Sequence, residues 1–161
     1  MSKQQGSASG VQSTDAFEWE VYHNSETNIF ELSKKLPEDL VASLAREVIL
    51  RVASRTVAAA VARPVSQEEL LAFSTALASD SPKSAAQIIA AERKAGRPAE
   101  DIYVNLLAPA ARQLGDMWNS DHITFAQVTV GSGRIFAIMR SMRHMFETSA
   151  PAEGPAVIFA S

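Results

Sequence analysis

Few residues in this chain have side chains that could do chemistry, and they are scattered. The three histidines, His23, His122 and His144, fall in three different segments, and no two stand at the spacing of a zinc motif such as HExxH. Asp116, Asp121 and Glu147 could carry protons, but nothing in the sequence pairs them. There is no cysteine, which removes disulfides, thiolate metal sites and cysteine nucleophiles. No Gly-x-Gly-x-x-Gly follows a strand-like run. Gly131-Ser-Gly133 lies inside a helical pattern, where it allows a neighbouring helix or a ligand to come close. Met117, Met139, Met142 and Met145 recur at helical spacing and read as core packing. This inventory predicts a protein that is not an enzyme.

A different chemistry is legible around Trp118. The ring ends one helix-like run, a polar break Asn119-Ser-Asp-His122 follows, and a second helix-like run begins at Thr124. A large ring at that corner, facing a stretch of three small residues, is the arrangement of a lid over a flat ligand. On chemistry alone the ordinary reading is a core tryptophan, since large aromatics mostly fill cores. A tetrapyrrole-like ring needs a broad apolar wall, an aromatic contact or two, and small residues at close approach. Trp118, Phe125, Val128 and the run Gly131-Ser132-Gly133 could form that wall. Thr129, four residues after Phe125, falls on a nearby face. Its hydroxyl could reach a ligand edge or turn back onto its own helix.

These residues must be held by helices. Residues 1–16 are polar and Gly/Ser/Gln-rich and read as disordered. Residues 17–64 form an aromatic arm (Phe17, Trp19, Tyr22, Phe30) and one long helix from Pro37 to about Arg63. That helix has a polar side bearing Arg46, Arg51 and Arg55, a solvated face or one that pairs with a second subunit. Four helices follow over 65–148. Ser66-x-x-Glu69 and Thr124-x-x-Gln127 are capping boxes. Ser81-Pro82 starts a helix, Gly96 ends it, and Pro98 starts the next, which Pro109 should bend. Short joints make neighbours antiparallel. The expected class is therefore all-α, a four-helix bundle preceded by one long helix. Residues 149–161 read as a Pro/Gly linker and the first strand, Ala156–Ser161, of an α/β domain that is absent.

With 161 residues and 47% hydrophobic content the chain can bury one core. Its net charge of −3 argues against direct nucleic-acid binding, which needs a concentrated basic surface. No apolar run is long enough for a membrane span, and Met1–Gly10 lacks the apolar core of a signal peptide. A cytoplasmic protein is expected.

From Glu69 to Met142 the chain resembles the helical cap that precedes the α/β domain of cobalamin-binding proteins. The Leu77-Ala-Ser-Asp80 turn, Ala95-Gly96, Leu106-Leu-Ala-Pro109-Ala110, Leu114-Gly115 and Trp118 occur in the family's order. In the photoreceptor branch that binds adenosylcobalamin, nine residues separate the tryptophan from a Glu-His pair. Here that interval ends on Val128 and Thr129, neither of which supplies an imidazole. The run Val128–Arg134 is instead similar to the PpaA/AerR-type regulators of photosynthetic bacteria and to related sensor domains that hold haem. The family's Asp-x-His-x-x-Gly motif does not occur in these 161 residues.

The resemblance implies a sensor that binds cobalamin, or alternatively haem, and passes a light, oxygen or redox signal to a transcriptional repressor by protein contact. It places the cofactor against Trp118, Phe125, Val128, Thr129 and Ser132. His122, beside the tryptophan corner, is the candidate metal ligand if the ring is haem. A corrinoid carrier for a methyltransferase would share the bundle, and so would a ligand-free, homodimeric helical interaction domain.

Overall fold

The computed structural model describes residues 17–53 and 64–147. The expected disordered start, the far end of the long helix and the C-terminal strand lie outside the described residues. Among the described residues all regular structure is helical, as the expected all-α bundle requires. In chain order the helices are α1 (Trp19–Lys35), α2 (Glu38–Ala53), α3 (Gln67–Ala78), α4 (Ser84–Lys94), α5 (Ala99–Ile102), α6 (Ala108–Asn119), α7 (Phe125–Ser141) and α8 (Arg143–Glu147).

The pattern of α7 explains the architecture. Val128, Ile135 and Ile138 make one apolar face, while Gly131, Gly133, Ala137 and Ser141 make the rest of the helix small. A helix apolar or small nearly all round belongs inside, and α7 is in contact with α1, α2, α3, α4, α6 and α8. The second layer follows from it: α2 lies across α6 and α7, and α3 does the same. The N-terminal arm is thus a docked helix. Tyr22 of α1 is 2% exposed, and its hydroxyl donates to the Pro82 carbonyl at 2.8 Å. Burial, then the Glu26 charge, push the Tyr22 pKa well above its ordinary value, so the phenol stays a donor. The core is continuous from Phe17 and Tyr22 through Phe73, Ile102, Leu107 and Leu114 to Ile138 and Met142.

The helix starts at Ser66 and Thr124 are as expected. Ser66 Oγ accepts from Glu69 N–H at 3.1 Å and the Glu69 carboxylate accepts from Ser66 N–H at 2.9 Å. Thr124 and Gln127 exchange the same two bonds at 3.2 and 2.9 Å. Gly96 takes φ +90°, and the Gly96 and Arg97 amides donate to Arg93 and Glu92 carbonyls, a Schellman ending. Asp121 does the same work after α6, at φ 58°. Its amide and that of His122 donate to Trp118 and Met117 carbonyls.

Three expectations are corrected. Ser81 does not cap α4. Pro82 and Lys83 form a turn, and the helix opens at Ser84. Tertiary contacts take the segment: Tyr22 claims the Pro82 carbonyl and Ser84 Oγ donates to Ala76 and Ser81 carbonyls. The run from Pro98 to Trp118 is not one α-helix, because Tyr103–Leu107 forms a π-turn between α5 and α6. Pro109 has no N–H for the Asn105 carbonyl. The widened turn precedes it, with Ala108 N–H bonded back to Tyr103 O. The last helix breaks at Met142, and α8 follows as a separate short turn.

Candidate functional site

A cleft of about 640 Å³ runs between α1 and the first half of α7. On α1, His23, Glu26, Thr27, Phe30 and Lys34 line it, a stripe at helical spacing. On α7, Phe125, Thr129 and Gly133 face them, four residues apart. Val41 of α2 and the α3–α4 turn from Ala78 to Pro82 close it. Its volume falls within the roughly 300–1,000 Å³ of small-molecule sites. Apolar Ile29, Phe30, Pro82, Phe125 and Val130 share its lining with polar and charged residues that include Glu26, Lys34, Asp80 and Gln127, so a flat ring lying there would meet both packing surface and polar partners.

Arg134 builds the base of the cleft. It is 4% exposed and is the one charged residue of α7 before Arg140. Its Nε donates to Glu26 of α1 at 3.0 Å. Its Nη1 donates to the Leu77 carbonyl at 2.9 Å and to those of Ala76 and Ser79. One guanidinium thus ties α1 to α7 while capping the C-terminus of α3, where a cation is favoured.

The sequence-predicted wall divides among three places. Phe125 and Thr129 line the cleft. Val128 is fully buried, and Ser132 is 4% exposed with its hydroxyl donating to the Thr129 carbonyl at 3.0 Å. Thr129 turns its own hydroxyl onto the Phe125 carbonyl at 2.8 Å. Trp118 stands at the end of α6, half-buried against the core, with the Arg46 guanidinium 4.7 Å from its ring centroid. The indole is therefore covered from outside by a cation of α2. His122 is exposed, its Nδ1 2.7 Å from Ser120 Oγ, in a separate groove with Pro109, Asp116 and Met117. The structure does not bring His122 into the α1–α7 cleft.

The small residues serve helix contact. A Cβ on Gly131 would lie 3.1 Å from Leu114 Cδ1 of α6, and one on Gly133 would lie 3.1 Å from Ile29 Cγ2 of α1. Gly133→Val is therefore expected to overpack the α1–α7 seam and cost about 1–3 kcal/mol in urea unfolding. Adding Ile29→Ala should recover part of that loss, a coupling that a double-mutant cycle detects. Equal losses with and without Ile29 would place the strain elsewhere.

The residues that sequence reasoning missed are His23, Glu26, Phe30 and Lys34 of α1, together with Arg134. A signal for Arg134 was present: a charged residue directly after Gly131-Ser-Gly133, inside a helix with no other charge before Arg140, has to find a buried partner. Nothing in α1 by itself says which helix it docks on.

Among the described residues no helix is long and apolar enough to cross a membrane, and no three His, Cys, Asp or Glu side chains cluster as a metal site. No solved structure matches the chain. It is 37% identical over 51 residues to a Rhodobacter capsulatus protein described as an uncharacterized 20.5 kDa protein in the bchF-crtJ intergenic region. That likeness covers 32% of this chain and 27% of the relative. The segment 72–140, from the first turns of α3 to the end of α7 and including the tryptophan corner and Phe125, matches the family model of the B12 binding domain.

Proposed function

We propose that this chain is the helical part of a cobalamin-binding sensor, which passes a light, oxygen or redox signal to a transcriptional repressor by protein–protein contact and catalyses no reaction itself. The observation that carries this reading is the B12 binding domain match over 72–140. The cleft along α7, the last helix of that segment, supports it. Cobalamin, when bound, supplies a cobalt centre whose axial bonding responds to light and redox state. The chain's own residues would hold the ring: Phe125 and Val130 on one side of the cleft, Phe30 on the other, and polar groups such as Gln127 at the rim. Exposed Leu40, Leu44 and Leu50 on α2 give a protein partner apolar surface to cover.

The test is hydroxocobalamin mixed with the protein and passed through gel filtration. The expected result is co-elution of the corrin with a shifted absorption spectrum, reduced in Phe125→Ala. Complete separation of corrin from protein would remove the cobalamin reading and leave a helical interaction domain. A passive corrinoid carrier is distinguished by illumination, which in a sensor changes the rate of proteolysis within α1 or α2 and in a carrier does not.

A further inference from the structure

We infer that His23 of α1 is an axial ligand to the metal of a tetrapyrrole seated in the α1–α7 cleft. The inference rests on the cofactor reading above and names a donor that reading lacks. α1 lies wholly outside the segment that matches the B12 binding domain, so what it contributes is a property of this chain.

The argument is one of elimination within the cleft. A ring lying in the groove along the α1–α7 seam would meet Phe30 of α1 and Phe125 and Val130 of α7, and the groove's walls would have to supply any nitrogen donor to a central cobalt or iron. On the α7 side no such donor lines the cleft: Phe125 and Val130 are apolar, and the Thr129 hydroxyl is turned onto its own helix. On the α1 side Glu26 is committed to Arg134 and Lys34 to Glu31 at 3.1 Å. His23 is the one histidine that lines this cleft. It is exposed and, among the described residues, is in no hydrogen bond or ion pair. Neutral imidazole is the commonest protein ligand for metals and a normal axial ligand of haem iron. The other histidines are differently placed. His122 lies in its own groove, and His144 stands 3.5 Å from Glu18 at the far end of α7. Tyr22, one residue before His23, is pinned to Pro82, so the backbone carrying the imidazole is anchored.

The shared chemistry is a planar tetrapyrrole whose metal has an exchangeable axial position. The two probes are aquacobinamide, a corrin with no base of its own, and hemin. Each is titrated against the whole chain and against His23→Ala, His122→Ala and His144→Ala, and followed by absorption. The expected result is an imidazole-type spectrum with at least one probe. It should be lost in His23→Ala together with more than about tenfold in affinity, and retained in the other two variants. Free imidazole added to the His23→Ala complex should restore the spectrum, which a merely structural role for His23 would not allow. The probe that responds identifies the ring as corrin or porphyrin. An unchanged spectrum in His23→Ala overturns the assignment while leaving cobalamin uptake intact. Failure of both probes to bind overturns it too, and hydroxocobalamin retention then shows whether the cofactor reading falls with it.

Discussion

Arg134→Met should lose about 3–5 kcal/mol of stability, the usual cost of removing one member of a buried ion pair. The guanidinium is 4% exposed and serves four acceptors: Glu26 and the carbonyls of Ala76, Leu77 and Ser79. Methionine keeps much of the stem's volume but no donor. The mostly buried Glu26 carboxylate, its side chain 17% exposed, would be left with no cation, and the last carbonyls of α3 would lose their cap. Glu26→Gln should cost much less, because Arg134 keeps its carbonyls. Arg134→Lys should fall between, since one ammonium cannot span the same acceptors. Urea unfolding followed by circular dichroism ranks the three. The same Met variant should expose α1 to protease before the rest of the chain unfolds. A loss under about 1 kcal/mol, the scale of a surface pair, would show that the guanidinium is dispensable.

A comparable loss, again about 3–5 kcal/mol, is expected of Asp101→Ala. Asp101 is 4% exposed. One of its oxygens accepts from Arg97 Nε and the other from Asn105 Nδ2, while Arg97 also donates to Glu92 at 3.0 Å. Burial alone would lower the Arg97 pKa, but the hydrogen bonds and charges of Asp101 and Glu92 outweigh it and hold the pKa above its ordinary value. The alkaline limit follows from that sign. Arg97 stays charged across the accessible range, so the clamp has no alkaline edge below the ordinary arginine pKa. Removing Asp101 takes a carboxylate from a buried cation and frees the Asn105 amide within the π-turn. Asp101→Asn, which keeps one acceptor without the charge, should lose less. If Asp101→Ala unfolds at the parent's urea midpoint, the network contributes no net stability.

Local rules made much of this fold readable. Ser66 with Glu69, Thr124 with Gln127, and Gly96 each satisfy orphan backbone groups within a few residues, so the sequence alone specifies them. The apolar spacing of α3, α6 and α7 located the bundle for the same reason. What was not readable depends on contacts between distant residues. Ser81-Pro82 has the composition of a helix start, yet Tyr22, sixty residues away along the chain, takes the carbonyl that decides otherwise. Pro109 advertised a disturbed helix, but a bend and a π-turn answer the same missing N–H, and the local sequence does not choose between them; in the π-turn formed, Leu106 and Leu107 are both buried. The candidate site was legible on α7, where Phe125 and Thr129 do line a cleft. Its other wall was not, because α1 carries apolar residues on more than one side, with Trp19, Phe30 and Leu32 exposed, and its pattern does not say which side docks.

The positions of the two tryptophans have a practical consequence. Trp19 touches Phe17 and Tyr22 at the head of α1, with ring centroids 5.0 and 6.1 Å away, while Trp118 sits beneath Arg46 near the end of α6. The molecule therefore contains two native indoles in unlike surroundings, one among aromatic rings at the head of α1 and one under a guanidinium at the end of α6. Replacing either with phenylalanine leaves a single-tryptophan protein that reports separately on detachment of the leading helix or on events at the α6 corner, with no dye attached.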